Sequence, residues 1–251
     1  MNTILLRVKN IKKQYIAHGK IVKHALKDVS IDIHRGEIVS LLGANGAGKT
    51  TLSSIIASLH PATAGEIIFN NKSIYDNIIA YRYNLGYCAQ KENLNPHMTV
   101  REHLTFAGHY FLLPTATIKD RIELLASMFG ITDYLDKNPS TLSGGYKQRL
   151  LIARSIIHKP ALVILDEPTV ALDPHIRRQL WDIIKQLKSE GTTVLLTTHY
   201  LDEAQVLSDR ICLLHNGEIK HIDTPQALMS SYNKANLEEV FLQLMHEETQ
   251  Q

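Results

Sequence analysis

Gly43, Ala44, Asn45, Gly46, Ala47, Gly48, Lys49 and Thr50, followed by Thr51, reproduce the spacing GxxxxGK[ST] of a phosphate-binding loop. Glycine lets such a backbone curl until successive N–H groups converge on an anion, and the next helix turns its positive end toward the same point. In that arrangement Lys49 reaches β- and γ-phosphates, the Thr50 hydroxyl sits on Mg²⁺, and Thr51 adds a phosphate contact. A second stretch could do chemistry with the first. The apolar run Leu162-Val163-Ile164-Leu165 ends in Asp166-Glu167-Pro168 and reads as a buried parallel strand that delivers two acids at its carboxyl end. Asp166 is the expected Mg²⁺ carboxylate, acting through water, and Glu167 is placed to polarise the water that attacks the γ-phosphate.

Positioning these groups requires strands and helices at the right places. Leu5 to Lys9, Val29 to Ile33 and Glu37 to Leu42 read as strands, the last running straight into the glycine loop. Leu52, Ile55, Ile56 and Leu59 form a helical stripe that ends before Pro61. Leu85 to Ala89 and Thr193 to Thr198 read as further strands. Between residues 91 and 159 the pattern turns helical. Thr99-Val100-Arg101-Glu102 forms a capping box, Leu104, Phe106, Ala107 and Phe111 supply apolar faces, and Ile118, Ile122, Leu125 and Phe129 continue the pattern. Asp173 reads as a helix N-cap with Pro174 at the first helical position. Near the end, Leu237, Val240, Phe241 and Leu244 recur at i, i+3, i+4 and i+7, the mark of a closing helix packed on the domain.

Composition narrows the class. The chain has 251 residues, 44% hydrophobic and 21% charged, enough for a sizeable core and unlike a disordered segment. A net charge of +2 offers no electrostatic footprint for nucleic acid, so no nucleic-acid partner is expected. Two distant cysteines, Cys88 and Cys212, suggest neither a disulfide framework nor a zinc site, and both read as small core hydrophobes. No apolar run approaches the roughly 18 to 20 residues that span a bilayer, and the N-terminus lacks the charged start of a secretory signal. Residues 1 to 27 carry seven Lys and Arg and no acid, and are read as a solvated sheet edge.

A third motif, Leu142-Ser143-Gly144-Gly145-Tyr146-Lys147-Gln148-Arg149, precedes a helical pattern. Here the sequence resembles the ATP-binding cassette (ABC) ATPases, whose signature in its commonest form is LSGGQ. The resemblance covers essentially the whole chain, and Tyr146 departs from the pattern where the family has Gln. By this resemblance Tyr15 matches the aromatic that stacks on adenine. Gln90 matches the glutamine that touches Mg²⁺ and senses the transport partner, Asp173 lies in the loop that crosses the dimer interface, and His199 matches the switch histidine at the γ-phosphate. The resemblance makes Glu167 and His199 the catalytic candidates and assigns Thr50, Gln90 and Asp166 to the metal. Residues Ser143, Gly144, Gly145 and Tyr146 would then contact the ATP of a partner subunit.

The fold implied is α/β, a P-loop NTPase (RecA-like) core sheet with an N-terminal antiparallel β subdomain and an inserted α-helical subdomain. The whole chain would be one nucleotide-binding domain, with core and β subdomain at about 1–90 and 160–222, the helical subdomain at about 91–159 and C-terminal helices at about 224–246. ATP and Mg²⁺ are the implied cofactors. A helix N-terminus led by Ser143 and glycines is a second anion site with no phosphate of its own chain to meet. The family resolves this by head-to-tail pairing with a second copy or a homologous cassette, so a dimer is implied. The remaining partner is an integral-membrane permease, which would hold the chain in the cytoplasm on the inner face of the membrane. The segments Pro168 to Pro174, Thr198 to Ala204 and Leu237 to Phe241 look like bacterial multidrug, lipid or nodulation-factor export ATPases. The alternative is a soluble ABC ATPase of a protein machine, such as iron–sulfur cluster assembly.

Overall fold

In the computed structural model, residues 3–17 and 20–249 are described, with side chains through residue 244. In chain order the elements are β1 (Ile4–Ala17), β2 (Lys20–His34), β3 (Ile38–Leu42), α1 (Lys49–Ile56), β4 (Ala64–Phe69), β5 (Lys72–Ser73), α2 (Ile78–Arg82), β6 (Leu85–Cys88), α3 (Val100–Tyr110), α4 (Thr115–Met128), α5 (Gly144–Ser155), β7 (Leu162–Asp166), α6 (Pro174–Ser189), β8 (Thr193–Thr198), α7 (Leu201–Leu207), β9 (Arg210–His215), β10 (Glu218–Asp223), α8 (Pro225–Ser231) and α9 (Leu237–Thr249). Short 3₁₀ turns lie at Thr132–Tyr134 and Pro139–Thr141. The chain forms two compact units, residues 1–74 with 195–251, and residues 75–194.

The first unit holds an antiparallel sheet in the order β2-β1-β4-β5. Strands β1 and β2 run much further than the apolar stretches Leu5 to Lys9 and Val29 to Ile33 indicate, because cross-strand pairing continues out to Ala17 and Lys20. Beyond Val8 the ladder is interrupted by several register shifts. Such bulges break the period-two alternation that a sequence reading depends on. The same unit orders β9 between β10 and β3, with β3 and β9 parallel. At the base of this pair Glu37, only 5% exposed, accepts from Arg210 Nη1 at 3.2 Å and from the His34 backbone N–H at 2.6 Å, which pins where β3 begins. Every residue of β3 is buried, as a strand covered on both faces requires. The C-terminal stripe behaves as its spacing indicates. Leu237, Val240 and Leu244 bury against Leu42, Ile211, Leu213 and Leu228, with Phe241 partly covered.

The second unit carries β6 and β7, which pair in parallel from Leu85 with Leu162 to Cys88 with Leu165. Around them lie α2 to α6. The capping box at Thr99 is present, with the Thr99 side chain accepting from the Glu102 N–H and Glu102 reaching back to the Thr99 N–H. Ile118, Ile122, Leu125 and Phe129 are all buried, so the helical stripe of α4 is a core face. Phe106 differs: it shares the helix with buried Leu104 and Ala107 yet is 64% exposed. Cys88 and Cys212 are buried, and burial pushes both thiols up to about 12.

The first helix stops earlier than its apolar stripe. Ser58 takes a left-handed φ of 57°, which closes α1 after Ile56 and leaves Leu59 outside the helix and 53% exposed. No helix among the described residues is long and apolar enough to cross a membrane.

Candidate nucleotide site

The glycine loop grows from the end of β3 and enters α1 through Gly48, whose φ of 112° is closed to ordinary L side chains. An added Cβ there would also sit 2.8 Å from the Ala25 carbonyl oxygen. Backbone bonds hold the loop in shape. The Gly217 N–H donates to Ala47 O at 3.0 Å, and the Lys27 N–H donates to Gly217 O at 2.9 Å, so the β9–β10 turn and β2 both support it. Lys49 is buried and curls over its own loop, Nζ donating to Gly43 O at 2.7 Å and to Ala44 O at 3.3 Å. Its ammonium thus lies inside the curl of backbone where a phosphate would be received. Ala44, Asn45, Gly46 and Thr50 are exposed, Thr51 is half-buried, and Thr50 is the second residue of α1.

Two other expected residues belong to this unit. Tyr15 lies on β1, 42% exposed, with Lys13 Nζ 5.5 Å from its ring centre. It is therefore an available aromatic face and not a core tyrosine. His199 directly follows β8, half-buried, its ring 4.3 Å from that of Tyr200.

In the second unit β7 delivers its acids as the run of apolar residues indicates. Asp166 is the last residue of the strand and 1% exposed. Glu167 leaves it with φ 49°, a left-handed conformation for a residue with a Cβ. Such backbone costs on the order of 1 to 3 kcal/mol and persists where surrounding structure enforces it, commonly at functional sites. The strained turn brings the Glu167 carboxylate to Gln90, two residues past β6, whose Nε2 donates to Oε2 at 2.9 Å. Both are expected site residues, 77 apart in sequence, and the structure joins them by a direct hydrogen bond that the sequence reading did not foresee.

The signature residues open α5. Ser143 is the N-cap residue, without a side-chain cap bond, and Gly144 and Gly145 begin the helix. At Gly145 an added Cβ would lie 2.6 Å from Ile176 Cγ2, so the second glycine permits close packing against the first turn of α6. Tyr146 packs its ring 4.3 Å from that of Tyr134, while the Arg149 guanidinium lies 5.3 Å from the Tyr146 ring centre. A hydrogen bond between the two phenols raises the Tyr134 pKa. Asp173 is the N-cap residue of α6 with Pro174 after it, but its side chain makes no capping hydrogen bond and is exposed. Ala171, two residues earlier, is left-handed at φ 61°.

The sequence offers no hint of how the loop after Gln90 is fastened. Lys147 Nζ reaches the two carboxylate oxygens of Glu92 at 3.2 and 3.3 Å. Arg154 donates to the Asn93 carbonyl at 3.3 Å and also to its side-chain oxygen. Only the seven-residue spacing of Lys147 and Arg154, which sets them on one helix face, is visible beforehand.

Oxygen ligands of the hydroxyl and carboxylate type suit Mg²⁺, which typically takes one or two protein groups with substrate phosphates and water. Thr50 and the buried Asp166 are such groups. Among the described residues no three His, Cys, Asp or Glu side chains form a metal cage.

Known proteins match this arrangement. Residues 26–170 match the family described as ABC transporter. The Nod factor export ATP-binding protein I of Bradyrhizobium diazoefficiens is 36% identical over 219 residues, covering 87% of this chain and 72% of that protein. A solved ATP-binding subunit of an ABC transporter superposes with a TM-score of 0.85 at 31% identity, over 96% of this chain and 99% of that one. A dimeric ATP-binding cassette in a post-hydrolysis state, bound to ADP and Pi, superposes with a TM-score of 0.80 at 29% identity, over 88% and 98%. The chain belongs to the ABC transporter family and is one of its ATP-binding, ATP-hydrolysing subunits.

Proposed function

We propose that this chain powers an exporter, working as an ATP-dependent head-to-tail dimer on a separate membrane permease. The observation that carries the catalytic part is the strained Glu167, held through its carboxylate by Gln90 at 2.9 Å. In this reading Glu167 accepts the proton of the water that attacks the γ-phosphorus, and the bond to the β-phosphate oxygen breaks with its electron pair leaving on ADP. A positioned base of this kind contributes about 10² to 10⁴ in rate. Lys49 and the loop amides carry the phosphate charge, Tyr15 stacks on adenine, and His199 contacts the γ-phosphate. Thr50, Asp166 and Gln90 are the groups that would hold Mg²⁺, which when bound neutralises charge on the β- and γ-phosphates.

The signature helix supports dimerisation by the same physics as the glycine loop. Ser143, Gly144 and Gly145 open α5, and a helix N-terminus favours an anion. In a head-to-tail pair it would close over the ATP held by the partner's glycine loop, with Asp173 at the contact. Hydrolysis would then remove the γ-phosphate contacts that favour closure and release the pair. Export as the direction is supported by the similarity to a Nod factor export ATP-binding protein, and a site of work on the inner face of the cell membrane is the reading that goes with an ABC transporter family member.

The test is a native pulldown of tagged Glu167→Gln from detergent-solubilised cells with ATP and Mg²⁺. Export requires a polytopic membrane protein in stoichiometric yield with a pair of these chains. Recovery of soluble partners alone would contradict it and favour a protein-machine ATPase.

A further inference from the structure

Three contacts tie the signature helix α5 to the segment that carries Gln90, and they fall on both sides of that residue. Before it, Gln148 Nε2 lies 3.6 Å from Cys88 Sγ. After it, Lys147 spans the Glu92 carboxylate at 3.2 and 3.3 Å, and Arg154 grips Asn93 through both its carbonyl and its side-chain oxygen. Arg154 is partly buried, and burial lowers its pKa. Lys147 and Arg154 lie seven residues apart, so both cations sit on one face of α5 and meet consecutive residues of the loop. Further along, the loop is held by His103 at Asn95 O, 3.1 Å, and by Asn138 at Pro96 O, 3.0 Å. The stretch from Cys88 to Pro96 is thus pinned at five residues, and Gln90, which meets Glu167, lies among them.

We propose that Lys147 and Arg154 are positioning residues that make the Gln90 loop and the signature helix a single moving piece. Any displacement that aligns Gln90 with Glu167 then carries Ser143, Gly144 and Gly145 with it. The group that orients the base for this chain's own ATP and the helix end offered to the partner's ATP are set together. This rests on the head-to-tail reading above for its consequence, but the mechanical link itself is independent of it. Exposed ion pairs contribute little to stability, so the link acts on register, and a fork held by Arg at two oxygens fixes orientation in a way a single charge does not.

The test is a charge exchange in the full-length Glu167→Gln chain, reading the ATP concentration at half-maximal dimerisation by light scattering. Lys147→Glu and Glu92→Lys should each raise that concentration about threefold to tenfold, and the double variant should return it to within about twofold. Arg154→Gln should act in the same direction, with Arg154→Lys restoring only part, because the fork is lost. Nucleotide affinity of the monomer should not change. In parallel, amide hydrogen exchange on the full-length chain should show Lys147→Glu loosening residues 90–94 and 144–148 together, with recovery in the double variant. Lys147→Gln serves both readouts if the charge reversal fails to fold. Unchanged dimerisation in the single variants, or a double variant no better than the product of the two, overturns the proposal. If Glu167→Gln itself never dimerises, the head-to-tail reading falls. The link is then decided by exchange: joint loosening sustains it, and loosening on one side alone refutes it.

Discussion

Gln90 Nε2 donates a 2.9 Å hydrogen bond to Glu167 Oε2 across 77 residues of sequence, and Glu167 meets it from a left-handed backbone. The bond constrains the orientation of the carboxylate that is proposed as the base. Gln90→Ala should therefore lower kcat about tenfold, with a smaller rise in KM for ATP from the lost Mg²⁺ contact, since orientation of the base acts in the transition state. Gln90→Glu should be worse, because it sets a second carboxylate against Glu167. Steady-state ATPase kinetics on the two variants check this, and a change confined to KM would contradict it.

Lys49 lies buried against the loop carbonyls of Gly43 and Ala44. Removing it takes away the ammonium held within the glycine loop. Lys49→Ala should weaken ATP binding at least tenfold and abolish measurable turnover, as read by isothermal titration and phosphate release; unchanged activity would rule out the phosphate role.

The C-terminal helix is part of the core and not an appendage. Leu237 is 1% exposed within the cluster that includes Leu42 and Ile211. Leu237→Ala should cost about 2 to 5 kcal/mol through lost transfer energy and the cavity left behind. For a chain of this size that lowers Tm by several degrees or more, measurable by calorimetry.

His158 gives stability a pH dependence. Its ring stacks on Phe111 with centres 3.5 Å apart, Nε2 meets Leu85 O at 3.1 Å, and Nδ1 is buried without a hydrogen-bond partner. Burial lowers its pKa to about 4. Between pH 6.5 and 4 the unfolded chain binds a proton that the folded chain refuses, so this contribution is full above pH 6.5 and fades as pH falls toward 4. The partial exposure of the group limits the loss to about 2 kcal/mol. His158→Gln should flatten that part of the profile in urea unfolding at pH 7 and pH 5, and an equal fall in both proteins would exclude His158 as the source.

Much of the fold is legible in the sequence. The glycine loop, the two acids after Leu165, the Thr99 capping box and the stripe from Leu237 to Leu244 each depend on local spacing, and local spacing is what a sequence displays. Other features depend on distant partners or on a single backbone angle. The extension of β1 to Ala17 comes from pairing with Lys20 through a bulged ladder, and the exclusion of Leu59 from α1 comes from the left-handed Ser58. Phe106 has helical spacing yet faces solvent. The fastening of Glu92 and Asn93 to α5 joins residues 55 and 61 apart, and nothing in the local pattern announces it.

The most direct measurement is ATP turnover and mass of the Glu167→Gln chain in the same solution. Single-turnover hydrolysis should fall by about 10² or more, and light scattering with ATP and Mg²⁺ should show a dimer that the wild type forms only transiently. Turnover at the wild-type rate would remove Glu167 as the base.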